Sequence, residues 1–320
     1  MIASYCDAIG TDSETAALED AQQRWLEVMS TWQEAEIFII GPAAENGNAR
    51  RNAILSYASA SPPSRCAVDQ SVVLAQQSSF DVTGRSFNSR GLDALEYLLF
   101  NQDLTHNCPS QITETQSWNG LSELERKQQR CAYAREVSAD LENNAQSLVD
   151  AWTLESGASR THFVNPANLA GNLEALSDAL FYIEVETKDT KLGLPTGIHG
   201  DCSAVTCPTA VESPYSQSSF ENISANLEGF ILALTGGEGL GFDDIIIESG
   251  FPEVVNAFRA NVNAAQELID EMESSLLSQS EALLGSGDSA ACENSAANPD
   301  DVQTVPMCSL HGYVKRITDS

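Results

Sequence analysis

Apolar residues along this chain recur every three to four positions, with no sustained alternation of period two, so the pattern predicts helices and no strands. Leu18, Trp25, Trp32 and Ile39 repeat at intervals of seven, with Ala21, Val28 and Ala35 between them. They predict a bundle helix from Ser13 to Ile40, stopped by Gly41-Pro42. Short helical stretches are expected over 50–58 and 68–77. Leu92, Leu95 and Leu99 mark another helix over 90–100. Ser122 and Glu125 have the spacing of a capping box and open a long helix to Trp152. A polar break over 157–165 follows. Beyond it, helices begin near Asn165-Pro166 and Ser218-Ser219, and Pro252 opens one that reaches Leu284. Segment 285–299 reads as a polar loop and the last residues as helical after Pro306. Segment 189–216, punctuated by Gly193, Pro195, Gly197, Gly200, Pro208 and Pro214, reads as a long irregular loop, a kind that is often functional. The sum is an all-α protein of two helical-bundle domains, 1–160 and 161–320, the second carrying the loop 189–216.

Composition narrows the possibilities. Hydrophobic residues make up 42% of the 320, enough for packed cores. The net charge of −30 argues against nucleic acid, which demands a cationic footprint, and repels anionic membrane surfaces while drawing in cations. No run of 18 apolar residues exists, so no transmembrane segment is expected. Eight cysteines without a Cys-x-x-Cys, and only four scattered histidines, argue for disulfides in an oxidising compartment over structural zinc. Cys202–Cys207 and Cys292–Cys308 each close a local loop, Cys66–Cys108 would fasten both approaches to the 90–100 helix, and Cys131 reads as a buried free thiol. The opening Met1-Ile2-Ala3-Ser4 has neither a basic nor an apolar leader region. An export signal would therefore have been removed upstream, and a lipid anchor there stays open.

The chemistry of interest centres on 90–100. Asp93 and Glu96 are three apart on one helix face, beside the leucine stripe, where two carboxylates need compensation. An arginine or backbone N–H groups would make them structural, and a metal ion would make them half a site. Glu36 lies at the C-terminal end of the first helix, where the dipole disfavours an acid, so it needs a cation such as Arg50 or Arg51. Asp69 and His199 complete the candidates.

Several pieces in order along the chain carry a family resemblance. They are Trp32-Gln33-Glu34-Ala35-Glu36 before Gly41-Pro42, then Cys66-Ala67-Val68-Asp69-Gln70, Gly91 with Glu96, Leu192-Gly193-Leu194-Pro195-Thr196-Gly197, and Gly239-Leu240-Gly241-Phe242-Asp243-Asp244. The chain resembles the imelysin-like proteins, the peptidase M75 family that includes iron-regulated periplasmic proteins. Their signature helix reads Gly-x-His-x-x-Glu, and here Asp93 stands where that motif has histidine. The resemblance implies two helical bundles with the signature helix near a cleft between them, and a periplasmic or cell-surface location. It also implies a link to iron handling, with a membrane-associated uptake partner. Gly91, Asp93 and Glu96 would form the motif, with Glu36, Asp69 and His199 as further ligands. Such oxygen donors suit Ca²⁺, Mg²⁺, Mn²⁺ or ferric iron over zinc. A metallopeptidase is the second reading, although His-Glu-x-x-His is absent. The third is a metal-free module that holds a peptide, a polysaccharide or a protein partner in the cleft.

Overall fold

The computed structural model describes residues 2–57, 59, 62–153, 155–301 and 303–319, and among these every regular element is helical. The chain divides into two compact units. One comprises Met1–Met29 and Gly41–Leu169, the other Ser30–Ile40 and Ala170–Ser320. The sequence placed a single boundary at 160/161. The structure instead gives a ten-residue-scale insert, Ser30–Ile40, to the second unit and carries the first through Leu169. Local periodicity holds no trace of that exchange, because it depends on which tertiary core each turn joins.

The first unit is built on helices Glu14–Ala35 (through Met29), Arg65–Leu74, Gly91–Phe100 and Glu123–Thr153. The capping box at the start of Glu123–Thr153 is present: Ser122 N–H donates to Glu125 at 2.8 Å and Glu125 N–H donates to the Ser122 hydroxyl at 3.3 Å. Leu92, Leu95 and Leu99 are buried as their spacing predicts. Ala94, Glu96, Tyr97 and Leu98 are buried too, so Gly91–Phe100 is enclosed on nearly all sides. Trp25 packs edge-on against Phe100 and donates its indole N–H to Leu92 O at 3.0 Å.

The second unit buries one continuous core that includes Ile37, Ile183, Leu192, Ile223, Leu227 and Val314. Its longer α-helices are Leu169–Leu180 (from Ala170), Ser219–Thr235, Pro252–Asp270, Leu276–Ser286, Ser289–Ala297 and Pro306–Thr318. Between the first two runs an eleven-residue π-helix, Ile183–Gly193, that occupies the start of the segment expected to be loop. Such long π runs are rare, and this one buries Thr187, Lys188, Lys191 and Leu192.

Several boundaries differ from the periodicity. The first long helix ends at Ala35, and its buried stripe is Ala21, Trp25, Met29 and Gln33, while Val28 is 45% exposed. Spacing by four has replaced spacing by seven because Gln33 is drawn into the interior by partners elsewhere in the chain. A separate helix, Ile2–Ala8, precedes it. The predicted 252–284 helix breaks after Asp270, and Ser275 caps a new one by accepting from Ser278 N–H. The expected polar loop 285–299 contains helix Ser289–Ala297, capped by Asp288.

Four disulfides are present: Cys6–Cys131, Cys66–Cys108, Cys202–Cys207 and Cys292–Cys308. Cys131 is therefore bonded and not free. Its partner lies 125 residues away, on the short first helix, a separation from which no spacing argument could find it.

Candidate functional site

Gly91 opens the signature helix with φ of +78°, a backbone conformation that disfavours any side chain. A Cβ there would also stand 2.5 Å from Ile54 O and 2.9 Å from Ala53 O. The motif glycine thus lets the helix start press directly on the backbone at 53–54. That approach delivers Asp93 to the next peptides along: its Oδ2 accepts from Ser56 N–H at 2.7 Å, the Ser56 hydroxyl at 3.0 Å and Tyr57 N–H at 3.2 Å. Arg90, just before the glycine, is buried against Asp140 at 3.1 Å with its guanidinium over the Phe87 ring. Glu96 lies one turn on, 4% exposed.

Asp69 reaches the same helix from Arg65–Leu74. It accepts from the Tyr97 hydroxyl at 3.0 and 3.2 Å and from Asn107 N–H at 2.7 Å, and Asn107 also donates its side-chain amide to the Tyr97 oxygen at 2.8 Å. Arg130 sits 4.0 Å from Asp69, stacks over the Tyr97 ring, and donates to Asn101 O at 3.1 Å and Asp103 O at 2.9 Å. It thereby caps the C-terminal end of the signature helix. Burial pushes the Asp69 carboxyl up, against the lowering effect of the Asn107 N–H, Arg130 and Tyr97. Burial, with the Asp69 charge next, pushes the Tyr97 phenol up as well. Cys66–Cys108 staples the start of the Asp69 helix to the loop that supplies Asn107.

Glu36 belongs to the second unit. The cation beside it is Lys191, at 3.4 Å, where the sequence suggested an arginine. Lys191 is 1% exposed, lies 3.3 Å from Glu212 and donates to Gln33 Oε1. Gln33 in turn donates to Glu212 at 3.0 Å, Asn222 donates to Glu212 at 3.1 Å, and Asn226 donates to Gln33 Oε1 at 2.9 Å. Burial pushes the Glu212 carboxyl up, Lys191 pulls it down, and Glu36 adds to the rise. The lysine ammonium takes the position a metal would take between two carboxylates. His199, also in this unit, lies 3.8 Å from Asp201 and accepts from Asp201 N–H, a local turn at the surface.

The structure therefore brings Asp69 to the helix of Gly91, Asp93 and Glu96 and holds Glu36 and His199 in the other unit. Among the described residues no three His, Cys, Asp or Glu side chains come together as metal ligands. Arg130, Asn107 and the Lys191 cluster were missed. One signal was available: two of only four lysines, Lys188 and Lys191, fall within four residues.

The family model for imelysin, peptidase M75, matches residues 2–299. Two solved structures share the fold. An imelysin-like protein from Psychrobacter arcticum is 14% identical with a TM-score of 0.58, covering 99% of this chain and 82% of its own. A Parabacteroides distasonis protein assigned as an iron-regulated protein A precursor is 14% identical with a TM-score of 0.59, covering 99% and 88%. No curated protein sequence matches. With nearly its whole length matched by the family model and its helical fold shared by both structures, the chain belongs to the imelysin family.

Proposed function

We propose that this chain is an exported binding protein of the imelysin family, linked to iron handling, in which the motif acids hold the signature helix in place and ligand recognition falls to other groups. The observation that carries the reading is the engagement of Asp93. Three donors of the chain itself converge on its Oδ2, which is the role of an internal anchor. Asp69 is likewise held by Tyr97 and Asn107. A resident metal on these acids fits poorly, because their oxygens would have to give up bonds that define the start and middle of the helix. A metallopeptidase centre fits no better, for it needs three protein ligands around an open position. The iron link and the exported location rest on the named likeness to the iron-regulated precursor, and the four disulfides agree with an oxidising compartment.

Calorimetric titration of chelator-stripped protein with Fe³⁺, Mn²⁺, Ca²⁺ and Zn²⁺, beside the Asp93→Ala/Glu96→Ala form, tests the reading. The expected result is no binding that the double substitution removes. A metal site that disappears with Asp93 and Glu96 would restore the metal-binding reading. Protein abundance in iron-starved and iron-replete cells tests the other half, and equal amounts would remove the iron link.

A further inference from the structure

Beside the C-terminal end of the signature helix, the first unit contains a cavity of about 330 Å³, within the size range of small-molecule sites. Leu98, Leu99 and Ala134 supply its apolar wall, and Cys131, bonded to Cys6, fixes its margin. Arg126 and Lys127 on one turn of the helix Glu123–Thr153, and Arg130 on the next, supply its cations. The chain has only sixteen lysines and arginines against forty-six acids, and three of the sixteen line this one cavity.

The accounts of these cations differ. Lys127 is held at 2.8 Å by both Glu14 and Glu123, and those hydrogen bonds push its ammonium pKa up. Arg130 gives both terminal nitrogens to backbone carbonyls, but its Nε–H is buried without an acceptor. Among the described residues the Nε–H of Arg126 likewise meets no acceptor, and the guanidinium makes one long hydrogen bond, to Leu104 O at 3.4 Å. The acids at the wall are engaged elsewhere: Glu123 by Lys127, and Asp103 by the N–H and hydroxyl of Thr105. Among the described residues Arg126 has no carboxylate at ion-pair distance. Arg126 thus brings to the cavity a guanidinium that no carboxylate of the described residues neutralises by contact, beside an apolar wall, and the partner that this arrangement suits is an anion from outside the chain.

We infer that this cavity is a binding site for a small organic carboxylate, whose oxygens are taken by Arg126, with the Arg130 charge alongside, and whose carbon skeleton lies against Leu98 and Leu99. The planar guanidinium suits a carboxylate better than a point charge does. The overall charge of −30 opposes any anion at long range, so such a site requires its cations concentrated as they are here. The inference rests on the reading of the chain as a binding protein and gives that reading a ligand class.

Calorimetry and thermal shift with citrate, D-glucuronate and L-glutamate, each as the sodium salt at constant ionic strength, test it, with D-glucose as the uncharged counterpart of glucuronate. At least one of the three carboxylates should bind the parent protein, and glucose should bind at least ten times more weakly than that carboxylate. Arg126→Ala should weaken the bound carboxylate at least tenfold, and Arg126→Lys should weaken it less. Arg126 is only half-buried and weakly bonded, so both variants should keep the parent circular dichroism. If the alanine form does not fold, the lysine form decides by the same comparison. No binding of any of the three carboxylates to the parent, or equal binding by the parent and the Arg126 variant, would overturn the inference. Those results leave the metal titration at Asp93 and Glu96 untouched, so the two readings fail separately.

Discussion

Two sets of buried acids, one in each unit, are held in opposite ways. In the first, Asp69 and Asp93 are surrounded by donors that are mostly neutral, peptide N–H groups and hydroxyls, and the nearest cation to Asp69 stands off at 4.0 Å. In the second, Glu36 and Glu212 close on a single lysine ammonium that is itself almost fully enclosed. A neutral-donor cradle positions a helix and leaves arginines such as Arg126 free to face a cavity. A closed ion cluster spends its lysine on two carboxylates inside the core. Function should therefore be sought at the edges of the first arrangement, and the second read as architecture.

The largest effect should come from breaking the ion cluster. Lys191→Met leaves two carboxylates buried without their cation and should cost about 3–5 kcal/mol in denaturant unfolding of the second unit. A loss below about 1 kcal/mol would mean that the cluster is neutral in the fold and that the contrast between the units is false.

Gly91→Ala tests the other side. The left-handed backbone and the contact with Ile54 O together should cost roughly 3 kcal/mol, measured as a lower unfolding midpoint. Near-parent stability would show that the approach of the helix to residues 53–54 is loose.

His311 gives the second unit a pH signature in the histidine range. It is buried with its Nδ1 unbonded, and burial, followed by Lys188 and Lys315, lowers its pKa to about 4. The folded value lies below the unfolded one, near 6.5, so the associated stability is fully present above that pH and is lost as pH falls towards 4. The loss should reach up to about 3 kcal/mol for the second unit, and His311→Gln should flatten that part of the pH profile. An unchanged profile would assign the acid sensitivity to carboxylates instead.

The smallest effect should be Asp93→Asn, which keeps the shape and weakens three charge-assisted bonds, at about 1–2 kcal/mol. Stabilisation by Asn would show that the carboxylate is strained there, as a ligand-binding acid often is.

Much of this was legible in the sequence where the cause is local. The burial of Leu92, Leu95 and Leu99 follows from helical spacing alone, and the Ser122–Glu125 cap from two residue types at a fixed offset. The first helix was misread because Gln33 and Glu36, polar by type, are buried, while Val28, apolar by type, is not. Their burial is decided by Lys191, some 150 residues away, and no window along the chain contains both. Gly91 stood out only through the family motif. Its reason, a positive φ and a carbonyl at 2.5 Å, lies in the partner backbone. The unpaired guanidinium of Arg126 was equally hidden, since a helix pattern shows where an arginine lies and not what it fails to meet.

The nesting of Cys66–Cys108 within the span of Cys6–Cys131 has a consequence for how the protein withstands proteases. Any single cut between residues 6 and 131 leaves the two pieces tied, and a cut between 66 and 108 leaves them tied twice. Nicked molecules would keep their full mass on a non-reducing gel and separate into fragments only once reductant is added. An intact band without reductant is thus no proof of an uncut chain in the half that carries the signature helix.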